Sequence, residues 1–179
     1  NGYIDDIHGW NFIGGANGNV GADTYETTRL YAQMRYKYDN ADPDKLNKTQ
    51  KKEFIEYLKL KNDVESRRTS AKGNLDAIMA TQNQVMAGID AVVEALGKKP
   101  LTMENLDMIE ENDSKKLSMG VAIAKNIITQ DPDLKTGADL KSFITKEYSD
   151  GIDHFTKELE YNFNPDFDSR KIVGDQYSN

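Results

Sequence analysis

Two histidines and the acids around them are the residues best placed by type to do chemistry in this 179-residue chain. His8 follows Asp5 and Asp6, a grouping that could move a proton if a nucleophile stood within reach. No nucleophile accompanies it, and acids beside a histidine are ordinary in extended text. Asp5 and Asp6 are also hard oxygen donors, the weak calcium candidates of the chain. Two adjacent carboxylates do not make a shell of about six to eight oxygens, and the EF-hand spacing is absent, so further ligands would have to come from a longer polypeptide. His154 lies between Asp153 and Phe155, with Asp150 one helical turn earlier. A metal-dependent enzyme built on it would need several convergent carboxylates; a lone helical histidine is ordinarily a surface or rim residue. There are no cysteines, so disulfides, thiolate metal sites and a cysteine nucleophile are excluded. Neither a phosphate-binding loop nor a dinucleotide fingerprint occurs.

Composition narrows the field. The net charge of −7 argues against nucleic acid as a partner, because phosphate binding draws on clustered Lys and Arg. Arg67-Arg68 lies beside Asp63 and Glu65 and reads as a solvated helix face. At 30% charged residues, with no run near the roughly 20 apolar residues of a spanning helix, the chain reads as a soluble, largely helical protein without a transmembrane segment. It opens on Asn1 rather than Met and shows no signal peptide, which reads as a cut inside a longer polypeptide.

The elements that must position these residues are mainly helical. Residues 3–13 alternate loosely between apolar and polar, which suits a short strand or hairpin ending in the glycine-rich turn 14–19. Asp23-Thr24 offers an N-cap, with Glu26 closing a capping box, for a helix reaching about Asp39 that carries Tyr25, Leu30, Tyr31, Met34 and Tyr38. Asp42-Pro43-Asp44 interrupts it. From about Lys48 to Leu96 a much longer helical text carries Phe54, Ile55, Leu58 and Val64, then Leu75, Ile78, Met79, Val85, Met86, Ile89, Val92, Val93 and Leu96. Residues 61–74 between those sets have almost no apolar face. The expectation is two packed helices or one bent helix near Gly73-Asn74, rather than a single helix projecting into solvent.

Gly97 to Pro100 reads as a helix stop. Thr102 can cap a short helix through Glu111 with Met103, Leu106 and Ile109 inward, and Asp113-Ser114 the next, striped by Leu117, Val121, Ile123, Ala124, Ile127 and Ile128. A last helix from about Ala138 to Tyr161 places Leu140, Phe143, Ile144, Tyr148, Ile152, Phe155 and Leu159 on one side, until Asn164-Pro165 ends it. The fold class expected is mainly α, an antiparallel helical bundle with long helices and short extended N- and C-terminal segments. Tyr25, Tyr31, Tyr36, Tyr38, Tyr57, Tyr148 and Tyr161 could form an aromatic ligand surface; core and rim packing explains them more simply.

The two ends carry a resemblance. NGYIDDIHGWNF, through Asn1, Gly2, Tyr3, Ile4, Asp5, Asp6, Ile7, Gly9, Trp10, Asn11 and Phe12, resembles a segment of secreted bacterial subtilisin-like serine peptidases just downstream of the strand bearing the catalytic Asp. In a Bacteroides-type branch of that family, a long insertion begins with wording similar to Asp23-Thr24-Tyr25-Glu26 and Thr28-Arg29-Leu30-Tyr31. It closes with wording similar to Asn164-Pro165-Asp166-Phe167-Asp168, Arg170, Ile172-Val173-Gly174-Asp175 and Tyr177, ahead of the catalytic histidine segment. The family's DSG or DTG, HGTH and GTSMA motifs are all missing; His8-Gly9 belongs to the GWNF segment, and Leu117-Ser118-Met119-Gly120 shares only a Ser-Met pair with the nucleophile motif.

The resemblance implies a non-catalytic helical insertion domain of a secreted subtilisin-like serine endopeptidase, lying between its catalytic Asp and His segments and acting on substrate access or partner binding. Residues 1–22 would be continuous with the host peptidase domain, residues 23–163 would form the insertion, and residues 164–179 would return to the host. The partner is then the host domain in cis, with protein substrate as a further one; the location is exported, and calcium is a cofactor of the parent at most. Asn1–Phe12 and 172–179 should lie close together. The alternative is a free-standing helical binding or adhesion module of an exported protein. No catalytic, cofactor-binding or metal residue of the host is carried over to this chain.

Overall fold

The computed structural model describes residues 14–15, 18–19, 21–111, 114–169 and 172. In the glycine-rich segment the chain does reverse: β1 (Gly14–Gly15) pairs antiparallel with β2 (Gly18–Asn19), Gly14 opposite Asn19 and Gly15 opposite Gly18. The strand expected over residues 3–13, the end segments expected to lie together and the Asp113 cap fall outside the described residues. Everything else described is helix and turn, so the mainly α class holds. The helices are α1 (Glu26–Tyr38), α2 (Lys48–Leu96), α3 (Met103–Asp107), α4 (Lys115–Gln130) and α5 (Gly137–Lys157), which runs on into a π-helical turn, Glu158–Asn162.

The chain divides into two compact units, and both α2 and α5 contribute to each. The first joins the residues up to Lys72 with those from Thr156 onward; the second is Gly73–Phe155.

In the first unit the core is aromatic. Tyr31 and Tyr38, two turns apart on α1, meet Tyr57 and Val64 of α2 and Phe163 beyond the π-turn, with Met34, Leu46, Phe54 and Leu60 packed around them. On α2 the fully buried side chains Tyr57, Val64 and Ala71 are spaced by sevens, two helical turns at a step. One buried residue per two turns is enough to hold a helix and too sparse to read as an apolar face. This is why α2 crosses the polar stretch 61–74 unbroken, as one helix and not the two that stood beside a bent helix in the expectation. Lys61, Glu65, Arg67, Arg68, Ala71 and Lys72 are strong helix formers within that stretch, and Arg67 adds an ion pair one turn back to Asp63 at 3.0 Å. Ile55 and Leu58, by contrast, lie outward.

The start of α1 also differs from expectation. The helix begins at Glu26 behind Tyr25, which caps it with extended backbone and no side-chain bond. Asp23 does not form the capping box. Its Oδ1 accepts from the adjacent Thr24 amide at 2.7 Å, and Glu26 turns to Arg29 at 3.3 Å.

The second unit is aliphatic. Ile89, Val92 and Leu96 of α2, Leu106 of α3, Val121, Ala124 and Ile127 of α4, and Leu140 and Ile144 of α5 form one buried cluster with Leu101. The helix ends follow local chemistry. Gly97 closes α2 with φ +58°, a left-handed conformation that favours glycine. The Thr102 hydroxyl accepts from the Asn105 amide at 3.2 Å and the Ser114 hydroxyl from the Leu117 amide at 3.3 Å. At α5 the Thr136 hydroxyl accepts from the Asp139 amide, while the Asp139 carboxylate accepts from the amides of Lys135 and Thr136. The Thr136 side chain first, and then the amides of Lys135 and Thr136, hold the Asp139 carboxyl below its usual range. α3 stops at Asp107 rather than Glu111, because the Met108 amide already folds back to Glu104 and Leu106; Met103 faces outward and Leu106 carries the burial.

α4 approaches α2 at Gly120. A Cβ there would sit 2.2 Å from the Gly88 carbonyl oxygen, closer than real side chains come, so glycine is required by the close approach of the backbones. The Ser118-Met119-Gly120 run therefore has a packing role: Met119 covers Gly88, and the Ser118 hydroxyl donates to Glu111 at 2.5 Å. No described helix is long and apolar enough to cross a membrane.

Candidate functional site

The described residues with the most constrained polar geometry lie in the first unit, where the start of α1 meets the end of the π-turn. A π-turn widens the helix by one residue and displaces carbonyls from their usual partners, and π-turns recur where a helix is put to use. Here the Asn162 carbonyl accepts from the Thr28 hydroxyl at 2.8 Å and from the Tyr25 amide at 3.1 Å. The Asn162 side-chain amide donates back to the Asp23 carbonyl at 2.7 Å. Thr28 is wholly buried, so its hydroxyl must have a partner; Asn162 supplies it from 134 positions away. Arg68 of α2 closes the other side, donating to the Leu159 carbonyl at 2.7 Å and the Phe163 carbonyl at 3.3 Å.

The same joint continues outward. The Thr24 hydroxyl reaches the Phe167 carbonyl at 3.5 Å, Tyr25 stacks edge-on against Phe163 with centroids 5.1 Å apart, and Arg35 of α1 donates to Asp166 at 2.7 Å. Hydrogen bonding to Asp166 is the main reason the Arg35 guanidinium is held above its ordinary value. A groove of about 660 Å³ opens along this line, walled by α1 on one side and by Pro165 to Ser169 on the other. Tyr36 stands on its rim, 99% exposed.

Behind the groove the three buried tyrosines each send a hydroxyl to a carboxylate. Tyr57 donates to Asp39, Tyr38 to Glu53 and Tyr31 to Glu65 at 3.4 Å. Lys61 donates to Asp39 at 3.0 Å, and Lys37 pairs with Glu53. The Tyr57 hydroxyl, then Lys61, holds the Asp39 carboxyl below its ordinary range; Lys37, then Tyr38, does the same for Glu53. Asp39 in turn raises the Lys61 ammonium. Burial first, and then Asp39, raises the Tyr57 phenol, while burial and then Glu65 raise Tyr31. Every shift fixes each group in its ordinary charge state near neutrality. General acid–base chemistry needs the reverse, a group brought towards neutral pH, so these residues build a joint and an aromatic wall.

The residues singled out for chemistry in the sequence are not gathered here. Asp5, Asp6 and His8 lie outside the described residues. His154 is exposed on α5 beside Phe155, with ring centroids 5.0 Å apart, and Asp150 and Asp153 are exposed near it. Among the described residues no group of three or more His, Asp and Glu side chains could hold a metal ion. Of the tyrosines, Tyr31, Tyr38 and Tyr57 are core, and Tyr36 alone projects fully into solvent among those described.

Arg67 and Arg68 are both exposed, as the reading of a solvated helix face has it. Arg67 pairs with Asp63, and Arg68 adds a tie from α2 to the π-turn. Spacing is the signal for that tie, since Arg68 stands four residues after the buried Val64 and three before the buried Ala71. Asn162 offered no such signal. Its role rests on partners far away in sequence and on a π-turn that helical periodicity does not announce.

Comparison with family models, with curated proteins and with solved structures finds no match to the chain.

Proposed function

We propose that the chain is a non-catalytic helical insertion of an exported subtilisin-like serine endopeptidase, placed between the segments that bear the host's catalytic Asp and His, where it governs what reaches the active-site cleft. The observation that carries this reading is the joint at Asn162. An inserted domain must leave and rejoin its host at nearby points, and domain ends commonly lie together at the surface. Residues 23–28 and 162–167 are hydrogen-bonded to one another, so the chain enters and leaves the helical region at one place. The stretches so joined, DTYETTRLY and NPDFD, are those that resemble the borders of the family's insertion.

The test begins with the coding sequence on either side. The proposal requires a DSG-type segment upstream and an HGTH-type segment soon after Asn179; their absence would overturn it. In the full polypeptide, residues 23–163 are then replaced by a short Gly/Ser linker, which suffices because the two borders are already in contact. The expected result is a peptidase that still reacts with a serine-directed fluorophosphonate but cleaves a different range of protein substrates. Unchanged specificity would refute the access role.

A further inference from the structure

We infer that the groove between α1 and Pro165–Ser169 is the surface on which the host peptidase domain seats, with Tyr36 as its anchor; this rests on the insertion reading above. A single exposed aromatic is ordinary on any protein surface. What distinguishes Tyr36 is its place. Besides α1, the groove takes in both borders of the helical region: Asp23 and Thr24 on the way in, Pro165 to Ser169 on the way out. On the insertion reading these two borders are where the chain passes to and from the host, so the groove between them is the described surface nearest to it.

The chemistry of the groove suits a seat of this kind. Contacts between domains of one chain are smaller and more polar than obligate interfaces, and Tyr and Arg are enriched in them. Arg29 and Arg35 line this groove, each already oriented by carboxylates: Arg29 by Asp23 and Glu26, Arg35 by Asp166 and Asp39. Their charges are balanced in place, so covering them strands no unpaired ion. Tyr36, with its whole ring in solvent, is the one groove residue with a full aromatic side chain's area still to bury.

The experiment uses the full encoded polypeptide with a photo-crosslinking benzophenone amino acid in place of Tyr36, and separately in place of Ile55, which belongs to the same unit, is 55% exposed and does not line the groove. Both positions are exposed, so neither replacement disturbs packing. The expected result is an intramolecular adduct from position 36 to peptides preceding Asn1 or following Asn179, and none from position 55. Adducts from both positions, from neither, or from position 36 to a second copy would overturn the inference. If the polypeptide still reacts with the fluorophosphonate in those cases, the insertion reading survives its failure. If flanking peptidase motifs are missing, both fall together.

Discussion

The two units solve burial in different ways. The first packs tyrosines whose hydroxyls must end on carboxylates, so each ring is fixed both by contact and by a directional bond to Asp39, Glu53 or Glu65. The second packs aliphatic side chains, and its specificity comes from close approach, above all where Gly120 meets the Gly88 backbone. Directional bonds set the relative placement of distant chain segments, which is what a joint between entry and exit needs. Aliphatic packing is non-directional, and its demand is volume.

The sharpest way to separate the two is to overfill the second unit. Gly120→Val would drive a side chain into the Gly88 carbonyl and Val92, and overpacking of this kind costs about 3 kcal/mol. Hydrogen exchange should then show lost protection at the amides of α4 and at residues 85–96, with those of Tyr31 and Phe54 to Val64 little changed. Equal loss in both units would show that α2 transmits strain along its length and would erase the distinction.

The converse change is Thr28→Val, which keeps shape and removes the hydroxyl bonded to Asn162. The Tyr25 amide still holds that carbonyl, so the expected loss is about 1 kcal/mol. Its signature is faster exchange at residues 24–29 and 158–163, with α4 unaffected. No change there would mean that packing, rather than the hydrogen bond, holds the borders together.

Acid provides a third contrast. The Asp39 and Glu53 carboxyls are held below their ordinary values of 3.8 and 4.5. Groups lowered on folding stabilise above their unfolded values, and that stabilisation is lost as pH falls through the folded ones. The first unit should therefore weaken below about pH 4, as the pairs that Asp39 and Glu53 make lose their charge. In the second unit the Asp139 cap titrates in the same sense but leaves the aliphatic core untouched. Tyr57→Phe removes the first-ranking cause of the Asp39 shift. Asp39, followed by NMR titration, should move up towards 3.8 while staying below it, because Lys61 and Arg35 remain. An unmoved Asp39 would show that Lys61 and Arg35 set it without the tyrosine.

How much of this could be read in the sequence followed the range of the interaction. Lys48 and Leu96, Gly97, Thr102 and Ser114 were legible because caps and breakers act within a turn. The Asp23 capping box was not, because Asn162 competes for the same backbone from the far end of the chain. Tyr31 and Tyr38 were readable as helix-face residues; their carboxylate partners were not, because those pairings span two elements. The groove belongs to the same class: α1 signals its own helix, but nothing local announces that Pro165 to Ser169 forms the opposite wall.

The smallest expected effect tests the continuity of α2. Gly73 lies in mid-helix, exposed, and a Cβ there would meet nothing within 4 Å. Nothing in its surroundings requires glycine, and its backbone freedom in the unfolded chain weighs against the helix. Gly73→Ala should stabilise the protein by about 0.5–1 kcal/mol, through the unfolded state and through helix propensity together. Amides of residues 70–78 should exchange more slowly, since the polar stretch relies on propensity where burial is sparse. A destabilised variant would mean that α2 departs from helical geometry at Gly73, as the break or bend suggested by the sequence would have it.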